Sequence, residues 1–248
     1  MTVGLLVAEW GAPATVHYAC TLRTGGVSAP PFASLNLGLH VGDAPAAVAE
    51  NRRRVQAALA LPRAPLWLDQ VHGTRVADAD REAAPAAADA AVTREPGRVL
   101  AIQVADCMPV LFASDDGRVV AAAHAGWRGL AAGVLEATVA AMKLDPQRIH
   151  AWLGPAIGAQ HFEVGAEVRA AFVAQDPEAA DGFTSNARGR WQCDLLRLAR
   201  ARLAASGVGR VSAANLCTYA QAERCFSYRR DGRTGRMAAL IWRTGASA

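Results

Sequence analysis

Apolar positions along this chain fall into short runs separated by glycine, proline and acidic breaks, and their period shifts from helical to strand-like and back. The helical period appears first over residues 43–61, where Val48, Val55 and Leu59 share one face behind Asp43, a candidate N-cap. Strand-like runs follow at 66–71, 99–105, 110–113 and 119–124. Asp115-Asp116-Gly117 joins the last two and predicts a hairpin turn. Beyond His124 a helix is expected to about Met142, with Leu130, Val134, Leu135 and Val139 facing inward. A strand at 149–153 ends at Gly154-Pro155, helices are expected near 166–174 and 194–205, and a strand at 211–216 precedes a last hairpin turning at 231–235. Residues 83–91 are alanine-rich but broken by Pro85 and Asp89, and read as a loop entering a short strand. Hairpins interspersed with helices indicate a mixed sheet rather than a doubly wound parallel one, hence one α+β domain over residues 1–248.

Composition narrows the class. A chain of 248 residues that is 52% hydrophobic buries a substantial core. No run is long and apolar enough to span a bilayer, and the first residues lack a basic region, so a cytoplasmic protein with no membrane partner is expected. The cysteines, Cys20, Cys107, Cys193, Cys217 and Cys225, are odd in number and scattered, unlike a disulfide framework. Reduced thiols suit a cytosolic enzyme. Lys143 is the only lysine in a chain of net charge +4, and arginine forks suit carboxylates and phosphates. The charges are dispersed outside Arg52-Arg53-Arg54, which reads as a solvated helix face, and the segment 229–236. With only 6% aromatic residues, a nucleic-acid groove built on stacking is not expected.

Candidate chemistry concentrates in three places: His72 in Gln70-Val71-His72-Gly73, Cys107 in Ala105-Asp106-Cys107-Met108-Pro109, and His124 in His124-Ala125-Gly126-Trp127-Arg128-Gly129. A lone histidine or cysteine at a strand end is ordinarily a satisfied, partly buried residue. Here the same context occurs three times, an apolar run followed by a turn, and such edges are where ligand-binding groups gather. Two imidazoles and a thiolate from distant segments would leave an open position on a metal, unlike a closed four-ligand structural zinc. A Cys107 nucleophile activated by a histidine uses the same residues and remains the competing reading. Asp106 is the candidate acid-base group if the backbone turns there; on a regular strand it would face away from Cys107 and brace the site. The glycines and Arg128 at the start of the helix after His124 are candidate anion contacts, as are Arg23 in Arg23-Thr24-Gly25-Gly26 and Arg229 in Phe226-Ser227-Tyr228-Arg229-Arg230-Asp231.

The ordered series Arg23-x-Gly25-Gly26-Val27-Ser28, Ser34-Leu35-Asn36-Leu37-Gly38-x-His40-Val41-Gly42-Asp43, Asn51-Arg52, Gln70-Val71-His72-Gly73, Ala105-Asp106-Cys107-x-Pro109, His124-Ala125-Gly126-Trp127-Arg128-Gly129, Gly154-Pro155-x-Ile157-Gly158 and Phe226-Ser227-Tyr228-Arg229-Arg230-Asp231 spans nearly the whole chain. It closely resembles the bacterial laccase-domain family, once labelled multicopper polyphenol oxidases and now described as purine nucleoside phosphorylases with adenosine deaminase activity. Cys225 stands where an aromatic residue is expected before Phe226.

The resemblance implies a layered αββα fold and one Zn2+ or Cu2+ site made by His72, Cys107 and His124. It further implies phosphorolysis of adenosine, inosine and 5′-methylthioadenosine, deamination of adenosine, and nucleoside and phosphate as partners of a monomer or homodimer. A role in editing peptidoglycan precursors, as a hydrolase, is the alternative that the family also suggests; polyphenol oxidation with copper is another. Deamination needs an activated water, which an open zinc supplies. The His-x-Glu and Pro-Cys-x-x-Cys elements of typical zinc deaminases are missing, so Asp106 is the first candidate proton carrier. Arg23, Arg128 and Arg229 are the candidate phosphate ligands, with Asn36 as a further substrate contact. A true multicopper oxidase is not expected, because after His72 and His124 only His17, His40, His150 and His161 remain, scattered singly.

Overall fold

The computed structural model describes residues 2–6, 10–82 and 87–245. In chain order the first elements are strands β1 (Leu5–Leu6) and β2 (Val16–Thr21), helix α1 (Pro45–Ala58), and strands β3 (Leu66–Trp67), β4 (Val76–Asp78), β5 (Ala90–Thr93), β6 (Leu100–Val104), β7 (Met108–Ser114) and β8 (Val120–Ala125). Helices α2 (Trp127–Ala132) and α3 (Val134–Met142), strands β9 (Ile149–Leu153) and β10 (Glu163–Val164), and helix α4 (Ala166–Val173) follow. The chain continues through β11 (Phe183–Ser185), β12 (Trp191–Cys193), α5 (Leu195–Ala205), β13 (Arg210–Ala213), α6 (Tyr228–Asp231) and β14 (Met237–Arg243).

One sheet has the order β1-β2-β14-β6-β3, a second β13-β9-β7-β8-β5-β4, and a small third β10-β12-β11. Both larger sheets are mixed: β3 runs parallel to β6, and β13 parallel to β9, beside antiparallel neighbours. Their facing sides share a core in which Leu100, Ile102 and Ile241 meet Leu111, Val120 and Ala122. Helix α1 covers the outer face of the first sheet through Val55, and α2 to α5 cover the second through Leu130, Leu135, Val168 and Leu198. The result is the expected αββα sandwich. Strands β7 and β8 are buried on both sides, which is why they read as continuous apolar runs instead of alternating ones. Four of the six residues of β8 are alanines, which contribute little bulk on either face.

Several expected boundaries move. The helix beyond His124 is two helices, because Gly133 at φ 99° sits in the left-handed region and ends α2. Asp43 is not the cap of α1: Ala44 holds that place without a side-chain bond, and Pro45 starts the helix, its fixed φ and missing N–H suiting the first position. The Asp43 carboxylate instead accepts from Ser28 Oγ and Asn36 Nδ2. The expected last hairpin is absent. Its first arm is the short helix α6, capped by Ser227, while β14 lies between β2 and β6. The strand expected over 66–71 shrinks to Leu66–Trp67, freeing residues 68–73 to cross the end of the sheet toward Cys107. Of the alanine-rich loop, residues 83–86 lie outside the described residues.

Candidate metal centre

His72, Cys107 and His124 converge where the ends of the two large sheets meet. Cys107 lies in the break between β6 and β7, and His124 pairs with Pro109 across the β7/β8 ladder, so the hairpin brings thiol and imidazole to one end. One ligand atom from each residue of the trio lies within 4.8 Å of the others, with His72 Nε2 at 3.8 Å from Cys107 Sγ. The two imidazole rings meet edge to face, centroids 4.8 Å apart. Gly126 makes this approach possible: a Cβ there would lie 2.8 Å from Cys107 Sγ and 3.0 Å from His72 Cδ2. Two residues of the site hold positive φ without being glycine, His72 at 61° and Asp106 at 90°. That region is disfavoured for residues with a Cβ and persists only where surrounding contacts fix it.

Asp89 fixes the first of them. Its Oδ1 accepts from the His72 backbone N–H at 2.9 Å, and its Oδ2 from those of Val71 and Gly73 at 3.1 and 2.7 Å. The same carboxylate bonds His124 Nδ1 at 2.8 Å, leaving Nε2 toward the trio. A carboxylate behind a histidine that presents its other nitrogen is the arrangement that orients metal-ligating imidazoles. The turn at Asp106 is held by Thr218 Oγ1, which donates to Oδ1 at 2.6 Å, and by the Arg229 backbone N–H, which donates to Oδ2 at 2.7 Å.

Burial would raise the Cys107 thiol, but the charge and hydrogen bond of His124, with a further contribution from His72, outweigh it and bring the pKa down to about 6. Burial likewise opposes charge on His124, yet the Cys107 thiolate and the Asp89 hydrogen bond raise its pKa to about 9. The remaining buried thiols go the other way: burial raises Cys193 to about 12 and Cys225 to about 11. Cys107 is thus prepared as a thiolate ligand or nucleophile, whereas Cys193 and Cys225 are not. Two imidazole nitrogens and a thiolate are donors that zinc and copper accept, and the spacing is one that a single ion can span with small side-chain adjustment. The trio therefore fits a metal, and it is the only such cluster among the described residues.

The trio opens into a cavity of about 710 Å³. Of the residues expected from the sequence, Asp106, Arg128 and Arg229 line it along with His72, Cys107 and His124. Arg128 lies over the Trp127 ring at 4.4 Å, and Arg229 lies over Phe162 at 5.1 Å while donating Nη1 to the Glu163 carbonyl. Arg23 and Asn36, expected as phosphate and substrate contacts, are not among the residues that line it. Arg23 donates Nε and Nη2 to the Ala33 carbonyl and Nη1 to that of Ala222, and covers the Phe226 ring. Asn36 is fully buried, with Nδ2 donating to the Gly38 carbonyl and to Asp43, and Oδ1 accepting from the Gly38 and Arg236 N–H groups. Both are struts.

Sequence reasoning missed Asp89, although a single acid in an alanine-rich run was a signal. It also missed Gln70, Gln103, His40, Tyr228 and Arg236, all in the cavity wall.

The architecture is thus a sandwich of two mixed sheets with a His-Cys-His cluster, able to hold one metal ion, at one end. The chain belongs to the family described as multi-copper polyphenol oxidoreductase laccase, which it matches over residues 17–244. It is 51% identical to the purine nucleoside phosphorylase YfiH of Escherichia coli, covering 96% of this chain and 98% of that one. To the purine nucleoside phosphorylase PA4543 of Pseudomonas aeruginosa it is 52% identical, over 96% and 97% of the two chains. Among solved structures, Neisseria meningitidis NMB0706 superposes with a TM-score of 0.94 at 49% identity, covering 98% of this chain and all of the other (100%). YlmD of Geobacillus stearothermophilus superposes with a TM-score of 0.86 at 34% identity, covering 94% and 93%.

Proposed function

We propose that this chain is a metal-dependent purine nucleoside phosphorylase that cleaves adenosine, inosine and 5′-methylthioadenosine with phosphate. The relatives named as purine nucleoside phosphorylases support the activity. The observation that carries it to this chain is the opening of the His72, Cys107 and His124 trio into a cavity that also holds arginines and aromatic rings. In phosphorolysis the C1′–N9 bond breaks, a phosphate oxygen takes C1′, and the departing base takes a proton. The cavity offers parts for each role: Trp127, Phe162 and Tyr228 supply faces for a base or sugar, and the arginines supply donors for phosphate. His72, Cys107 and His124 would hold the ion, zinc or copper, which supplies Lewis-acid polarisation when bound. Asp106 has both oxygens engaged by Thr218 and Arg229, so its part is to position the Arg229 segment.

Deamination of adenosine at the same centre is the second activity of this reading. The five cysteines are free and no helix among the described residues can cross a membrane, in keeping with a cytoplasmic enzyme. Metal-loaded protein incubated with adenosine and phosphate should yield adenine and ribose 1-phosphate. Absence of the sugar phosphates, ribose 1-phosphate from adenosine and inosine and 5-methylthioribose 1-phosphate from 5′-methylthioadenosine, with metal shown to be bound, contradicts the reading.

One observation favours a second reading, the editing hydrolase: the Cys107 thiol beside two imidazoles is also a prepared nucleophile. Cleavage of an amide or ester by metal-free protein, abolished by alkylation of Cys107, would establish it.

A further inference from the structure

Arg236 occupies the cavity wall immediately before β14, with its backbone fixed on both sides. Its N–H donates to Asn36 Oδ1 at 2.8 Å and its carbonyl accepts from the Leu37 N–H at 3.0 Å. The side chain runs past Gly38, where a Cβ would lie 2.8 Å from Arg236 Cγ. Nη1 donates to the carbonyls of Thr234 and Gly235, both at 3.1 Å. Among the described residues the guanidinium forms no ion pair, and Nε and Nη2 find no acceptor. Burial disfavours its charge, the groups that favour it are Cys107, Asp106 and Tyr228, and the guanidinium lies over the Tyr228 ring at 5.9 Å.

Gln103 stands beside it. Its backbone is clamped by the Gln70 side chain, which donates to the Gln103 carbonyl and accepts from its N–H, each at 2.8 Å. Its own amide is unused: Gln103 is 6% exposed, and Oε1 is buried without a hydrogen-bond partner. A buried amide oxygen without a partner costs stability in an empty cavity, and such exceptions in native folds call for a ligand or water. Three guanidiniums, of Arg128, Arg229 and Arg236, line this cavity against two carboxylates, of Asp69 and Asp106. Its guanidiniums thus outnumber its carboxylates by one.

We propose that Arg236, with the Gln103 amide beside it, is the oxyanion-binding arm of this cavity and takes the phosphate that the phosphorolysis consumes. The assignment rests on the phosphorylase reading for the identity of the anion, and replaces Arg23 in that role. A planar guanidinium with two free donors matches a phosphate edge, and a carboxamide that turns presents its NH₂ to a third oxygen. Free phosphate and a phosphate ester on a substrate share this chemistry.

Calorimetric titration of the metal-loaded protein with inorganic phosphate, and separately with ribose 5-phosphate, tests the arm without requiring turnover. Arg236→Gln is expected to weaken inorganic phosphate binding at least about tenfold, the scale of one lost charge-assisted hydrogen bond. The KM for phosphate should rise in parallel while metal content and the KM for adenosine stay at wild-type values. Gln103→Leu should shift the phosphate constants in the same direction. If Arg236→Gln does not fold, Arg236→Lys keeps the charge, loses the fork, and is still expected to weaken phosphate. Wild-type phosphate affinity in the variant that folds overturns the proposal. So does Arg236-dependent binding of ribose 5-phosphate alone, which would place the anion on the substrate. Arg236-dependent phosphate binding in a protein that cleaves no nucleoside supports the arm and refutes the phosphorylase reading instead.

Discussion

Asp89 Oδ1 lies 2.8 Å from His124 Nδ1 and accepts a hydrogen bond from the His72 backbone N–H with the same oxygen. One carboxylate therefore sets both imidazoles of the trio, one through its ring and the other through its backbone. In Asp89→Asn the amide NH₂ must face donor groups that the carboxylate accepts from. The metal dissociation constant is expected to rise about 10–100-fold, the usual cost of losing an outer partner of a ligating histidine. Competition with a chromophoric chelator measures it, and an unchanged constant contradicts the role.

Cys107 should be the fast thiol of the metal-free protein. Its pKa is depressed from the ordinary 9.0 to about 6, so the folded thiol is ionised between these values while an unfolded one is largely protonated. The associated stability is lost as the pH falls through about 6, and, because the cation of the pair is His124 with its pKa raised to about 9, it is also lost as the pH rises through about 9. Iodoacetamide labelling followed by mass spectrometry should place the midpoint of Cys107 modification near 6, with Cys193 and Cys225 slow. Added zinc should block it. A midpoint near 9 would show that the imidazoles do not activate the thiol.

Gly126→Ala places a methyl group 2.8 Å from Cys107 Sγ and 3.0 Å from His72 Cδ2. Overpacking of this kind costs about 1–3 kcal/mol. Because the methyl meets two ligands, elemental analysis should show metal lost from protein that still unfolds cooperatively in urea. Full metal occupancy would mean that the ligand geometry tolerates the added group.

Arg23→Ala distinguishes a strut from a phosphate ligand. It deletes guanidinium bonds to the Ala33 and Ala222 carbonyls, and a loss of about 1–3 kcal/mol in urea denaturation is expected from charge-assisted bonds of this type. The KM for phosphate should not move in the protein that remains folded. A selective rise in that KM would return Arg23 to the substrate.

How much of this was legible in the sequence depended on whether a residue's role was set locally. His72, Cys107 and His124 each follow an apolar run at a backbone break, and the breaks are real turns, two of them with positive φ at or beside a ligand. The continuous apolar runs of β7 and β8 likewise announced buried strands. Asp89 was hidden because its four hydrogen bonds reach 16 to 35 residues along the chain. Arg236 was hidden by the misplaced hairpin: it lines the same cavity as the trio because β14 pairs with β6, opposing Met237 to Val104. The surroundings of Arg23 were hidden for a related reason. Arginine before a glycine pair looks like an anion loop, but here the chain returns through Ala33 and Ala222 and supplies the acceptors itself.

The most direct test of a metal-dependent phosphorylase is a titration of metal-depleted protein with zinc, and in parallel with copper, in the presence of adenosine and phosphate. Ribose 1-phosphate formation is read against metal bound per chain. With at least one of the two metals, the rate should rise in proportion to bound metal and level off at about one ion per chain, the capacity of a single three-ligand centre. Ribose 1-phosphate formed at the full rate by metal-depleted protein, or none formed at full occupancy with either metal, would contradict the account.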